Sequence, residues 1–444
     1  MRSTAAIENR LLRNHSSGRG PWRPLLAIAC AFLLVRAGRA AGAEDAAPEP
    51  GWMERATLSG EWGGRGTELA TQGFEFGLSL YGDVMFVVDG GLERGTAFAG
   101  LLEPTLTVDL DRALGWKNTT IFVHGIGTFG NDPTELTGSL HAPSSFGNSV
   151  DTFSLFEAWI EREFLDNSLS VRAGLYGVDT EFDVKETAGV FINGGFGTGI
   201  DLAQSGLNGP CIFPTSCLGI RVRYEPTTTR YFQIAVLDGV AGDPGNPKGT
   251  HIHLSHDDGV LVLGEAGFER AAEQERFLRA AVGTWHYTTT FDDLLKVDAA
   301  GQPVRRHGTQ GVYALLEGVL YREPDRRTQG LSAFLRMGMA DQDVNPVRGT
   351  VGGGLAYTGL MPGRDEDVTG LGASVAINGD VFRKSRSLAG TPVDRREVLV
   401  GLTHLLPLTP WASVQLDAQY IGNPGTDPTV DDALVIGLRF QIKF

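Results

Sequence analysis

The sequence predicts an all-β fold: a transmembrane antiparallel β-barrel of about sixteen strands, with an infolded constriction loop and a short N-terminal helix. Three observations carry this expectation. In Ala433–Phe444, Leu434, Ile436, Leu438, Phe440, Ile442 and Phe444 share one face of a strand, and Val435, Gly437, Arg439, Gln441 and Lys443 share the other. A cation at the bilayer midplane costs roughly 2–4 kcal/mol and a lumenal one little, so a strand with lipid outside and water inside needs this pattern. A strand closing a soluble sandwich alternates likewise, but it rarely ends on an aromatic with no polar tail. Second, about sixteen strand-like runs separated by Gly/Asp/Pro/Asn turns fill the chain beyond Gly73. Third, mean hydropathy is only −0.07. No apolar run past the N-terminus reaches the roughly 18 residues of a membrane helix, whereas barrel strands escape hydropathy windows.

Taken in order, residues 1–43 read as a secretory signal. Arg10, Arg13, Arg19 and Arg23 form a basic region, Leu25–Val35 an 11-residue apolar core, and Ala41-Gly42-Ala43 an A-x-A cleavage site. More apolar residues follow Cys30, which argues against a lipid-modified cysteine. Cleavage after Ala43 removes seven Arg and one Glu from 38 bases and 53 acids, leaving 31 against 52 and a net charge of −21. So acidic a chain is not expected to bind nucleic acid. Export also makes a loop-stapling disulfide the default for Cys211 and Cys217 in CIFPTSC, ahead of a metal pair that lacks further ligands.

Residues 44–73 form a polar N-terminal segment, directed to the pore mouth or periplasm, with a short helix closing at Gly73. Residues 74–444 form the barrel. Its strands are expected at 74–88, 98–110, 118–129, 152–164, 168–177, 217–225, 229–238, 259–269, 276–288, 310–322, 330–340, 348–360, 367–378, 394–405, 411–421 and 433–444. Sixteen to eighteen strands enclose an aqueous channel, where eight are filled by side chains. The 27-residue stretch Asp179–Ser205 is too long for a turn. Its Phe-rich Gly segments suggest a loop folded inward as a constriction, with Phe191, Asn193 and Phe196 as its candidate residues; a surface lid is the alternative.

Several stretches resemble one family, in the right order. The N-terminal part carries Trp62-Gly63-Gly64, Arg65, Leu69 and Gly73. The middle carries FEAWIEREF (Phe156–Phe164), SVRAGLYGVDTEFD (Ser170–Asp183) and VFINGGFG (Val190–Gly197). LGIRVRYEP, YFQIAVLDGVAGDP, DGVLVLGEAGF, GGGLAYTGLMPGRDED and LDAQYIGNPG follow. Over essentially its whole mature length the chain resembles the carbohydrate-selective porin family, the OprB-type porins. It departs at Arg65, one place early, and at Leu175 and Gly177, where the family usually has Lys and Asp. The resemblance implies an outer-membrane pore complete in one chain.

Alternation assigns the lumenal sides. Arg221 and Arg223 oppose Leu218, Ile220, Val222 and Tyr224, and Arg172 opposes Leu169, Val171 and Ala173. Glu157, Trp159 and Glu161 oppose Phe156, Ala158 and Ile160; Ser413, Gln415, Asp417 and Gln419 oppose Val414, Leu416, Ala418 and Tyr420. Together with Arg439, this set suits a neutral polyol: Arg and carboxylates bond hydroxyls, and an aromatic face stacks on a sugar ring. A transverse field that merely orients water is the blander reading, and Trp159 could equally join an interfacial girdle.

Other motifs carry less. Gly125–Gly130 spells G-x-G-x-x-G, but a turn follows where a dinucleotide site needs a helix. His251, His253 and His256 read as solvated loop histidines rather than metal ligands. No G-x-S-x-G is present, and nothing demands an enzyme, metal or cofactor. The expected function is passive, sugar-selective diffusion of small carbohydrates across the outer membrane, with lipid as the other partner. A general-diffusion or anion-preferring porin on the same barrel is the first alternative. A secreted β-sandwich lectin or glycoside hydrolase is the second.

Overall fold

The computed structural model describes residues 51–444 apart from Pro244, His251, His253, 271–276 and Asp325, and without the Arg327 side chain. The expected signal at 1–43, the start of the N-terminal segment, and two members of the histidine cluster lie outside the described residues.

Sixteen strands follow one another: β1 (Phe74–Gly91), β2 (Gly95–Asp109), β3 (Thr119–Gly130), β4 (Thr152–Phe164), β5 (Leu169–Tyr176), β6 (Cys217–Thr227), β7 (Arg230–Asp238) and β8 (Val260–Arg270). They continue as β9 (Leu278–Val297), β10 (Pro303–Glu323), β11 (Arg326–Ala340), β12 (Val347–Thr358), β13 (Val368–Asn378), β14 (Arg396–Thr409), β15 (Ala412–Gly422) and β16 (Asp431–Lys443). Each pairs antiparallel with its chain neighbours, and β16 closes the barrel on β1 with Ser79 opposite Lys443 and Val84 opposite Leu438. Closure leaves no strand edge to satisfy in lipid.

At the end shared with the chain's C-terminus the turns are short, only 228–229 between β6 and β7 and 410–411 between β14 and β15. The opposite end carries the long connections 131–151, 177–216 and 239–259. In outer-membrane barrels short turns face the periplasm and long loops the outside.

The alternation read from β16 holds. Leu434, Ile436 and Leu438 are exposed on the outer wall, while Val435 is buried inside. Ile220, Phe232, Ile234, Leu316, Leu371, Leu402 and Leu416 continue the outward apolar belt. Phe156 does not follow its expected side. The β3–β4 ladder pairs Gly125 with Leu155 and His124 with Glu157, so Phe156 is the extra residue of a β-bulge. The bulge turns its ring inward against Phe213, centroids 5.7 Å apart, and leaves Glu157 inward as well.

β9 and β10 run further outward than their sequence turns suggested. Thr289, Phe291 and Asp293 stay buried on one face, so the strand alternation continues through TTTFDD. Arg306 joins this extension to Asp293 and Asp343, each at 2.6 Å. The N-terminal segment lies at the rim where β1 and β16 meet. Its short helix, α1 (Arg65–Thr71), leads through Gly73 into β1. Leu58 N–H donates to the Lys443 carbonyl at 2.8 Å, and Trp411 Nε1 to the Trp52 carbonyl at 2.8 Å.

The two faces of β16 predict opposite responses to the same charge. Ile436→Arg places a cation against lipid and is expected to cost about 2–4 kcal/mol. Gln441→Arg, on the inner face, should be near neutral. Heat-modifiable gel migration after refolding into vesicles reads the folded fraction of each.

Candidate functional site

Two of the long loops fold into the barrel, and both are held by side chains that the strands point inward. Their buried N–H groups have no ladder to join and must find other acceptors. In the loop 177–216, Glu157 accepts from Gly177 N–H at 3.2 Å and Glu265 from Asp183 N–H at 3.1 Å. Glu317 accepts from Glu186 and Thr187 N–H at 3.1 and 2.9 Å, and Thr350 Oγ1 from Asp201 N–H at 3.1 Å. Arg336 on β11 reaches Asp183 Oδ2 at 3.1 Å and also pairs with Asp201, while Lys185 Nζ sits 2.9 Å from Asp183 Oδ1. Burial alone would raise the Asp183 carboxyl, but the Arg336 guanidinium and the Lys185 ammonium hold it below the usual carboxylate range.

The residues expected at the heart of this loop dock it to the wall. Phe191 lies 4.3 Å from Phe196, centroid to centroid, and both pack on Phe334. Asn193 Nδ2 donates to Gln419 Oε1 at 2.7 Å, and its Oδ1 accepts from Gly195 N–H at 2.8 Å. Cys211 and Cys217 form a disulfide where the loop returns to β6, with Cα atoms 5.5 Å apart.

A second loop, 131–151, is also infolded; its length between strand runs carries the same signal as that of 179–205, without the Phe-rich Gly segments. His141 is fully buried. Its Nδ1 lies 2.7 Å from Glu397 Oε1 and its Nε2 3.0 Å from Ser374 Oγ. Glu397 also accepts from Leu140 and His141 N–H, both at 2.8 Å. The two loops clasp each other directly: Ser145 N–H donates to the Ile192 carbonyl at 2.8 Å and Gly194 N–H to the Ala142 carbonyl at 2.9 Å.

A cavity of about 520 Å³ lies on the side of the short turns and one of about 540 Å³ on the side of the loops. Glu157, Trp159, Arg172, Arg221 and Arg223 all line the first. Arg172 lies 3.7 Å above the Trp159 ring and donates to Glu161 at 2.7 Å. That stacking places Trp159 in the lumen and not in an outer girdle. Arg221 donates to Glu161 at 2.7 Å and to Glu181 of the loop at 2.9 Å. Arg223 stacks 4.3 Å from Tyr231 and donates to Glu225 at 2.6 Å. Arg439 lines the outer cavity; it makes two 2.7 Å bonds to Asp83 and lies 4.4 Å over Phe146. Asp417 lines neither cavity. It points inward but is covered, accepting from Gln419 Nε2 at 2.7 Å behind the loops. The Gly125–Gly130 motif is simply the end of β3.

A closed sixteen-stranded barrel with an apolar outer belt and a lumen of charged side chains defines an outer-membrane porin. The chain belongs to the carbohydrate-selective porin family, the OprB family, whose profile matches residues 93–444. It is similar to Porin B of Pseudomonas aeruginosa, 24% identical over 94% of this chain and 97% of that one. It is also similar to the putative porin QuiX of Acinetobacter baylyi, 22% identical over 88% and 94% of the two chains. The high-pH structure of Pseudomonas putida OprB shares the fold with a TM-score of 0.81 at 22% identity, covering 89% of this chain and 100% of that one. The protein is thus a sugar-selective porin of the Gram-negative outer membrane, a passive channel and not an enzyme. The soluble-sandwich alternative falls with the closure of the barrel.

Two predictions test how the loop is held. Arg336→Ala leaves Asp183 and Asp201 buried without their guanidinium, a loss of about 3–5 kcal/mol. The expected result is a lower unfolding temperature in detergent and a larger, noisier single-channel current. The second concerns Asp179, whose Oδ2 accepts from Phe213 N–H at 3.1 Å and whose Oδ1 has no partner. Burial pushes this carboxyl up to about 6 from its usual 3.8. A raised carboxyl favours the folded loop at pH below about 4 and withdraws that support as pH rises through 6. Asp179→Asn should therefore gain stability over wild type as pH goes from 4 to 7, measured by thermal unfolding at each pH.

Proposed function

We propose that mono- and disaccharides cross the barrel of a single chain past the loop 177–216, which acts as the constriction. The contacts for them come from Trp159 and Arg172, together with Glu161 and Glu181, while the buried Arg221 holds those two carboxylates in place. One observation carries this reading: an aromatic ring, two guanidinium groups and two carboxylates converge on one cavity, four of them from β4, β5 and β6 and one from the loop. Carboxylates accept from sugar hydroxyls, the Arg172 guanidinium donates to them, and the exposed edge of the indole, whose face Arg172 covers, adds apolar surface. Glu157, Arg223 and Arg439 extend the polar lining on either side.

Charge pairing favours a neutral solute over an anion. Arg172, Arg221, Arg223 and Arg439 each hold a carboxylate within 2.7 Å, so none presents an uncompensated charge to a passing ion. The general-diffusion alternative predicts no sugar-specific effect at this cluster.

Planar-bilayer current with added glucose or maltose, and liposome swelling across a sugar panel, test the reading. Arg172→Ala removes a direct donor and Arg221→Ala the guanidinium that positions Glu161 and Glu181; with charge-assisted hydrogen bonds worth about 1.5–3 kcal/mol, each should weaken sugar block by about tenfold or more. Sugar block and sugar preference that stay at wild-type values in both variants would rule the cluster out.

A further inference from the structure

We infer that Val184 forms the neck of the channel and that its apolar side chain favours a sugar over a hydrated ion. The inner and outer cavities have a single lining residue in common among the described residues, and it is Val184. Its neighbours are committed elsewhere. Phe182 is 1% exposed within the wall cluster, and Asp183 is tied to Arg336 and Lys185. Asp183 also turns the chain through a left-handed backbone, φ 56°. Beyond it, Glu317 takes the N–H groups of Glu186 and Thr187. Clamped on both sides, the backbone presents the half-buried Val184 where the two cavities meet.

A valine there gains little for folding, because its surface stays partly wet. Its chemistry matters instead to whatever passes. An ion moving between the chambers must keep its hydration shell or find replacement ligands, and a hydrocarbon wall supplies none. A pyranose differs: its C–H face can rest on an apolar surface while its hydroxyls remain bonded to the charged groups on either side. The choice of solute rests on the sugar-contact reading above, whereas the position of the neck does not.

Two variants separate these claims. Once the signal is removed, Val184→Cys carries the only free thiol, since Cys211 and Cys217 are bonded to each other. A sulfonate-bearing methanethiosulfonate added to either side of a bilayer should react and cut the current by about half or more, as an added group in a narrow pore does. A thiol that mass spectrometry shows unmodified, or modified with the current unchanged, overturns the assignment of the neck. Val184→Thr keeps the shape and adds a hydroxyl. The ratio of sugar permeation to ion conductance should then fall by about threefold; an unchanged ratio overturns apolar selection. If the wild-type protein passes no sugar, the selectivity claim falls together with the sugar reading, while the current block still locates the neck.

Discussion

A loop inside a barrel has no adjacent strand to receive its N–H groups, and each one left unpaired in a dry site costs about 1–3 kcal/mol. Here wall carboxylates take the place of the missing ladder. Glu157 on β4, Glu265 on β8, Glu317 on β10 and Glu397 on β14 all point inward, and each accepts from loop backbone. A carboxylate suits the task because its two oxygens offer about four lone-pair sites. Glu397 uses this capacity fully, since it takes the N–H groups of Leu140, His141 and Gly425 and also faces the His141 ring. Without these acceptors the loops would have to stay in water above the barrel, and the lumen would be a wide, unselective tube.

A second set of acids determines where positive charge can sit. Asp183 and Asp201 in the loop meet Arg336 on the wall, and Glu161 and Glu181 meet Arg172 and Arg221. Such pairs need neither partner to be solvated fully, so they can hold a loop firmly while keeping polar atoms at the water boundary. On the proposed reading, a solute with hydroxyl groups meets donors and acceptors that are already oriented. A bare charge finds its counter-charges already occupied.

How much of this was legible follows from what alternation encodes. A period of two reports which face a residue occupies, so all sixteen strands and the inward sides of Arg172, Arg221, Arg223, Arg439 and Trp159 could be read. Phe156 failed because one inserted residue at the bulge reverses the parity, and no residue type marks that bulge. Asp417 was placed on the correct side, yet alternation says nothing of what covers it. Alternation does not single out Arg336 and Glu317 for a related reason: their importance lies in contacts with loop residues more than a hundred positions away. Residues 131–151 carried a usable signal in their length, but they lack the Phe-Gly run that drew attention to 179–205.

That Phe-Gly run shows how the loop's position is fixed by shape as well as by charge. The rings of Phe191 and Phe196 need space against a wall that is otherwise lined with side chains. Gly370 and Gly372 on β13 and Gly401 on β14 supply it: a Cβ built on any of the three would press on one or both phenyl rings, the nearest contacts running from 2.7 to 3.1 Å. On the other side of the loop, a Cβ at Gly195 would strike the His141 ring of the second loop. Ring, glycine hollow and histidine thus form one interlocked layer. The 131–151 loop cannot shift without disturbing Gly195, and Phe196 cannot shift without leaving its hollow. Filling a single hollow, as in Gly372→Ala, should therefore disturb both loops together, whereas removal of one hydrogen bond leaves the others in place.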